Sequence, residues 1–142
     1  MKLLFWDASA LAKRYTAEEG RETANYLFET LSNSTMASTP WGYAETYSIL
    51  LRRLNSGVLD TPSFNLAVAS LQMEVVESDN FTLFTVDDTA IFRSNVLMRK
   101  HNINATDAAI LTVVMDVYSK REHLDFLRDM SGSSYSSYEH SS

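Results

Sequence analysis

Apolar residues recur along the chain in two rhythms: short unbroken runs, and stripes spaced three or four residues apart. The run LLFW at 3–6 ends at Asp7 and has the length of a buried strand. ASALAKRY at 8–15 predicts a short helix, with a break near Gly20. Within 21–31, Ala24, Leu27, Phe28 and Leu31 fall at helical spacing. A polar, turn-like stretch then surrounds a short predicted strand at 35–38. Pro40 can open the next helix, because a first-turn residue needs no N–H. That helix is predicted over 41–55, ending before Gly57. Further helices are predicted over 63–76, 88–100 and 106–118, with a short strand or extended link at 82–86. Short runs alternating with helices predict an α/β fold, a small parallel sheet flanked by helices. Residues 131–142 hold seven serines and no aliphatic side chain, the composition of a disordered tail. Residues 1–130 are then one domain.

Composition narrows the function classes. With 142 residues the chain suits a single domain that buries about two-thirds of its unfolded surface. No cysteine is present, so disulfides, thiolate metal sites and a thiol nucleophile are excluded. Asp7, Lys13 and Arg14 interrupt the N-terminal apolar stretch too soon for a signal peptide. No run approaches the roughly 20 apolar residues of a membrane span. A cytoplasmic protein without a membrane partner is expected. The net charge of −6 argues against coating nucleic acid by bulk attraction, though a local basic patch is compatible with it.

Three carboxylates stand out. Asp7 follows a strand and precedes a helix, where open parallel sheets bind ligands and Ser9 is close enough in sequence to orient it. The alternative is a plain helix cap. Asp107 falls within about 40° of Leu111, Val114 and Tyr118 on a helical wheel, at the centre of an apolar stripe. A charge buried there needs a partner, and a metal ion would serve. Otherwise Thr106 or Asp107 caps the helix at the edge of solvent. Asp116, about 180° away, should face solvent. Glu45 lies opposite the predicted packing stripe Tyr43, Tyr47, Leu50, Leu51 and Leu54, in line with Arg52. Trp41 and Ile49 share its side, which predicts a helix buried on both sides rather than a simply solvated face.

Oxygen ligands without cysteine suit Mg²⁺ or Mn²⁺, which activate water and neutralise charge on a phosphate in transit. His101, His123 and His140 form no zinc pattern and read as surface residues. Lys13 and Arg14 follow Asp7, Arg52 and Arg53 follow Glu45, and Arg93, Arg99, Lys100 and His101 precede Asp107. Such positions could line a phosphate backbone, with Arg52 as its positioning residue, or could be ordinary surface charge. Phe5, Trp6 and Phe28 read as core. No glycine-rich phosphate loop occurs. A phosphatase using Asp7 as nucleophile would want a second acid two residues on, where Ser9 stands.

The stretches FWDASALAKRYTAEEG, TPWGYAETYSILLRR and HNINATDAAILTVV together resemble the PIN-domain ribonucleases, particularly the VapC-like toxins of toxin–antitoxin pairs. They cover most of residues 1–115. The resemblance implies a PIN-like fold, with Asp7, Glu45 and Asp107 as catalytic and metal-binding acids and Ser9 and Thr106 supporting them. It implies Mg²⁺ or Mn²⁺ as cofactor, RNA as substrate, a homodimer and an inhibitory antitoxin partner. Lys13, Arg14 and Arg52 are then candidates for the RNA backbone. After residue 116 the family's pattern, a strand ending in a further acid, is weak. Asp125 stands 18 residues after Asp107, with Asp129 as alternative, but Leu124, Phe126, Leu127 and Met130 fit a short amphipathic helix equally well. An atypical or truncated end is expected. It motivates a second reading, a catalytically impaired domain that binds protein or RNA.

Overall fold

The computed structural model describes residues 3–31 and 35–130, with side chains over 3–31 and 36–121. The serine-rich tail therefore lies outside the described residues. Two compact units divide the chain, Leu3–Phe84 and the part from Thr85 onward.

The first unit carries three parallel strands, β1 (Leu3–Phe5), β2 (Thr35–Ser38) and β3 (Phe81–Leu83), side by side in that order. Leu4 pairs with Met36 and Ala37 with Thr82. Parallel neighbours need a crossover, and helices provide it. α1 (Ala8–Ala12) and α2 (Arg21–Thr30) join β1 to β2. α3 (Pro40–Asn55), α4 (Thr61–Leu71) and a π-helical turn (Gln72–Val76) join β2 to β3. The α/β class and the small parallel sheet are as the sequence predicts. α1 stops at Ala12, shorter than the predicted 8–15. α4 starts earlier than predicted, because the Asp60 carboxylate caps it at the Ser63 N–H (2.8 Å).

Trp6, Leu11, Met36, Leu50, Phe64, Leu71, Val75 and Phe81 form the buried centre of this unit. Trp6 is core, as predicted, and Phe5 and Phe28 are half-buried. The Phe28 ring lies 5.1 Å from Trp6 and 6.3 Å from Phe81, at aromatic packing distance.

The first turn of α3 is unusually close to β2. Ser38 Oγ is buried and donates to the Trp6 carbonyl (2.9 Å). A Cβ on Gly42 would stand 2.1 Å from that oxygen, so only glycine fits. Thr39 caps the same turn by accepting from the Gly42 N–H (3.0 Å).

Arg14 ties three elements together. Its Nη2 and Nε donate to the two Glu74 oxygens (2.5 and 3.1 Å), and Nη1 donates to Asn25 (2.9 Å). The guanidinium lies 4.3 Å over the Phe28 ring. The Glu74 hydrogen bond raises the Arg14 pKa further above its usual value. Burial, then the Glu74 charge, push the Tyr15 phenol well above its ordinary range. Glu74 sits in the π-helical turn, a rare feature that re-aims side chains.

The second unit holds α5 (Asp88–Arg93), α6 (Asn95–His101) and α7 (Ala105–Met130). The single helix predicted over 88–100 is interrupted at Ser94. Its buried hydroxyl donates to the Ile91 carbonyl (2.6 Å), and its N–H is shared between Ala90 and Ile91. Asn102, with φ of 53°, ends α6 in the left-handed region that asparagine tolerates. α7 passes well beyond the predicted 106–118. The weak strand after residue 116 does not form, because no glycine or proline interrupts 105–130 and residues 120–124 favour helix. Ala108, Ala109, Thr112 and Val113 are the buried face of α7, and α5 packs on this helix. Among the described residues, no helix is long and apolar enough to cross a membrane.

Two outcomes follow for stability. Gly42→Ala should lose about 1–3 kcal/mol through overpacking. Adding Ser38→Ala should return at least about 1 kcal/mol of that loss in a double-mutant cycle by urea unfolding. Glu74→Gln should cost about 1.5–3 kcal/mol, the range for a hydrogen bond to a charged group, read by the same method.

Candidate functional site

Asp7 stands two residues beyond β1, after Trp6 N–H has bonded to the Ala37 carbonyl (2.8 Å) and closed the ladder. Its extended backbone (φ −83°, ψ 166°) makes it the N-cap of α1, and Oδ1 accepts from the Ala10 N–H (2.7 Å). The side chain is exposed, and Oδ2 makes no hydrogen bond among the described residues. Asp7 is therefore a cap with a free oxygen, so the two sequence readings are compatible. Ser9 is exposed and makes no hydrogen bond to Asp7 among the described residues.

Glu45 is carried by α3, which leaves the sheet beside α1 because β1 and β2 are parallel neighbours. It lies six residues past the Thr39 cap, about 9 Å along the axis. Glu45 is exposed and has no hydrogen bond or ion pair among the described residues. The packing face of α3 keeps Leu50 of the predicted stripe at its centre, with Tyr43 and Leu54 packed against the core, but is turned toward Gly42 and Thr46. Gly42, Thr46 and Leu50 are its buried residues, while Tyr47 and Leu51 are 37% and 39% exposed. The face is turned because Gly42 must meet β2, and because Thr46 satisfies its hydroxyl on the Gly42 carbonyl (2.7 Å). The expectation of a helix buried on both sides is also corrected, since Trp41 is 56% exposed.

Asp107 belongs to the second unit. Asn104 accepts from the Asp107 N–H (2.8 Å), and Asn104 Nδ2 donates back to Asp107 Oδ2 (2.9 Å). This reciprocal arrangement caps α7 in the manner of a capping box. Asn104 is not among the residues the sequence singles out, although the spacing N-x-x-D across a helix start is a signal for it. Thr106 is exposed and makes no hydrogen bond to Asp107 among the described residues. The predicted orientation of α7 is reversed. Asp107 is exposed and lies nearly opposite the buried Ala108, Ala109, Thr112 and Val113. Asp116, predicted to face solvent, is partly buried and paired with Arg93, one oxygen at 3.3 Å from Nη1 and the other on Nη2. That pairing holds its carboxyl below the usual range.

The candidate cations differ in availability. Arg14 is engaged by Glu74, Asn25 and Phe28, and Lys13 Nζ donates to the Glu19 carbonyl (3.1 Å). Arg52 is exposed and makes only a hydrogen bond to Ser48 Oγ (2.9 Å) among the described residues. Asp125 and Asp129 fall within α7, but their side chains lie outside the described residues, as do His123 and His140. His101 is exposed at the end of α6, as expected of a surface residue.

The carboxylate oxygens of Asp7, Glu45 and Asp107 are of the hard type that Mg²⁺ and Mn²⁺ prefer. Among the described residues, however, no three histidine, aspartate or glutamate side chains stand together at metal-holding range. No protein-family model and no curated protein matches the sequence.

The capping geometry separates charge from structure at Asp7. Asparagine caps as well as aspartate, so Asp7→Asn should unfold within about 0.5 kcal/mol of the parent, while Asp7→Ala should lose about 0.5–2 kcal/mol in thermal or urea unfolding.

Proposed function

We propose that this protein is a metal-dependent endoribonuclease of the PIN-like kind, the cytoplasmic toxin of a toxin–antitoxin pair. The observation that carries the reading is the pair Asp7 and Glu45, two exposed acids without ion-pair partners on helices that leave adjacent parallel strands. Ligands of open parallel sheets bind at that edge. Asp107, exposed in the first turn of α7, is the third acid of the proposed set. The resemblance of the three sequence stretches to PIN-domain ribonucleases supports the same assignment.

In this reading Asp7, Glu45 and Asp107 hold Mg²⁺ or Mn²⁺. What the ion supplies when bound is an activated water and compensation of charge on the phosphate. Asp7 keeps Oδ1 on its helix cap and offers Oδ2. Arg52 orients the RNA backbone from farther along α3. Ser9 and Thr106 complete the surroundings of the acids, and an antitoxin and a second copy are the protein partners.

A second reading has its own support. No three acidic or histidine side chains gather among the described residues, and helix occupies the region where a closing strand and fourth acid were sought. A domain that binds RNA or protein without cutting fits both facts.

Cleavage of a labelled single-stranded RNA, with Mn²⁺ and with chelator, separates the two. The nuclease reading expects cleavage that chelator abolishes and that falls at least about 100-fold in Asp7→Asn, Glu45→Gln and Asp107→Asn. Undiminished activity in Asp107→Asn, or no cleavage with any divalent ion, rejects it.

A further inference from the structure

A cavity of about 250 Å³ opens in the first unit between α4 and the segment that joins α1 to α2. From α4 it is lined by Ser63, Leu66, Ala67 and Ser70, whose i, i+3, i+4, i+7 spacing puts them on one helix face. Arg14, Tyr15 and Arg21 supply the remaining polar lining. The cavity lies past the C-terminal end of α1, whereas Asp7 caps its N-terminal end, and neither Asp7, Ser9 nor Glu45 lines it.

Its chemistry departs from that of the chain as a whole. The net charge is −6, yet no aspartate or glutamate lines this cavity. Two acids that flank it in sequence are engaged elsewhere, Glu18 with Arg53 (3.0 Å) and Asp60 with the Ser63 N–H (2.8 Å). Glu22 stands about 100° round α2 from Arg21. Arg14 uses three of its five N–H donors on Glu74 and Asn25. Arg21, the first residue of α2, is exposed, and its guanidinium makes no hydrogen bond or ion pair among the described residues. Tyr15 adds a buried hydroxyl with no hydrogen-bond partner among the described residues. Burial keeps that phenol protonated, so it remains a donor, and an unpaired buried donor costs stability. The lining thus offers donors, one of them a free cation, beside apolar surface.

We propose that this cavity binds a small organic anion, with its carboxylate or phosphate on the Arg21 guanidinium and its apolar body against Leu66 and Ala67. The planar guanidinium matches either oxyanion with two parallel hydrogen bonds. The volume falls under the roughly 300–1,000 Å³ of drug-sized sites, so the occupant has the size of a small metabolite. Leu66, 69% exposed at the cavity, gains burial from a ligand with a hydrocarbon or aromatic body and gains none from a free inorganic anion. The site is separate from the acids of the proposed nuclease, and the inference does not depend on RNA cleavage.

The test titrates phenylacetate and phenyl phosphate into the full chain by calorimetry, with phenethyl alcohol as the uncharged control. At least one anion should saturate with a Kd of about 1 mM or below. The tighter of the two identifies the head group as carboxylate or phosphate. Phenethyl alcohol should bind at least about 10-fold more weakly. Arg21→Gln should weaken the anion about 10- to 100-fold, the effect of a lost charge-assisted hydrogen bond. Its urea midpoint should match the parent's, since the position is exposed. Tyr15→Phe should bind about 3- to 10-fold more weakly while the free protein stays as stable as the parent. Asp7→Asn should bind the anion as the parent does, which keeps this site distinct from the proposed metal centre. No saturation by either anion up to about 10 mM overturns the site. So does equal binding of phenethyl alcohol, or parental affinity in Arg21→Gln.

Discussion

The contact on which the first unit depends is the close approach of Gly42 to the Ser38 hydroxyl. Ser38 is itself bound to the Trp6 carbonyl, so one buried oxygen joins the end of β1, the end of β2 and the start of α3. Removing the side chain at 42 lets the helix begin immediately at the strand's end. The Thr39 cap and Pro40 then give the turn its unbonded N–H partners and its φ. What leaves this junction is positioned by it: Asp7 one residue after Trp6, and Trp41 and Glu45 on the outward side of α3.

Electrostatics reinforces the same division. Arg14, seven residues after Asp7, is drawn to Glu74 by a two-point hydrogen bond and to an aromatic face. The guanidinium thereby locks the turn after α1 to α2 and the π-helical turn instead of neutralising Asp7. Asp116 is likewise neutralised by Arg93 within the second unit. Asp7 and Glu45 are left without such partners among the described residues, and uncompensated exposed carboxylates are what a cation-dependent site would require.

Much of the first unit was legible in the sequence. A short apolar run marks β1, a short strand is predicted at 35–38 within a polar stretch, and Pro40 with Gly57 brackets α3, because strand burial and helix termination are local properties of composition and turn chemistry. The placement of Asp7 at a strand end and of Glu45 in line with Arg52 came from the same periodicities. The orientation of the helices did not. On α7 the apolar periodicity predicts a buried face through Leu111, Val114 and Tyr118, yet the small residues Ala108, Ala109, Thr112 and Val113 are buried instead. On α3 the larger Tyr47 and Leu51 yield to Gly42 and Thr46 in the same way. Hydropathy weighs side-chain size, whereas close packing rewards the small side chains that let backbones approach.

The sequence by itself determined the strand and helix order of the first unit and the parallel character of its sheet, since each follows from neighbours along the chain. Only the tertiary structure decided which helical faces turn inward, that Arg14 serves Glu74, and that Trp41 stays in water. Those outcomes depend on which surfaces meet across the fold, and complementarity of shape and charge between distant segments is not written in the local pattern.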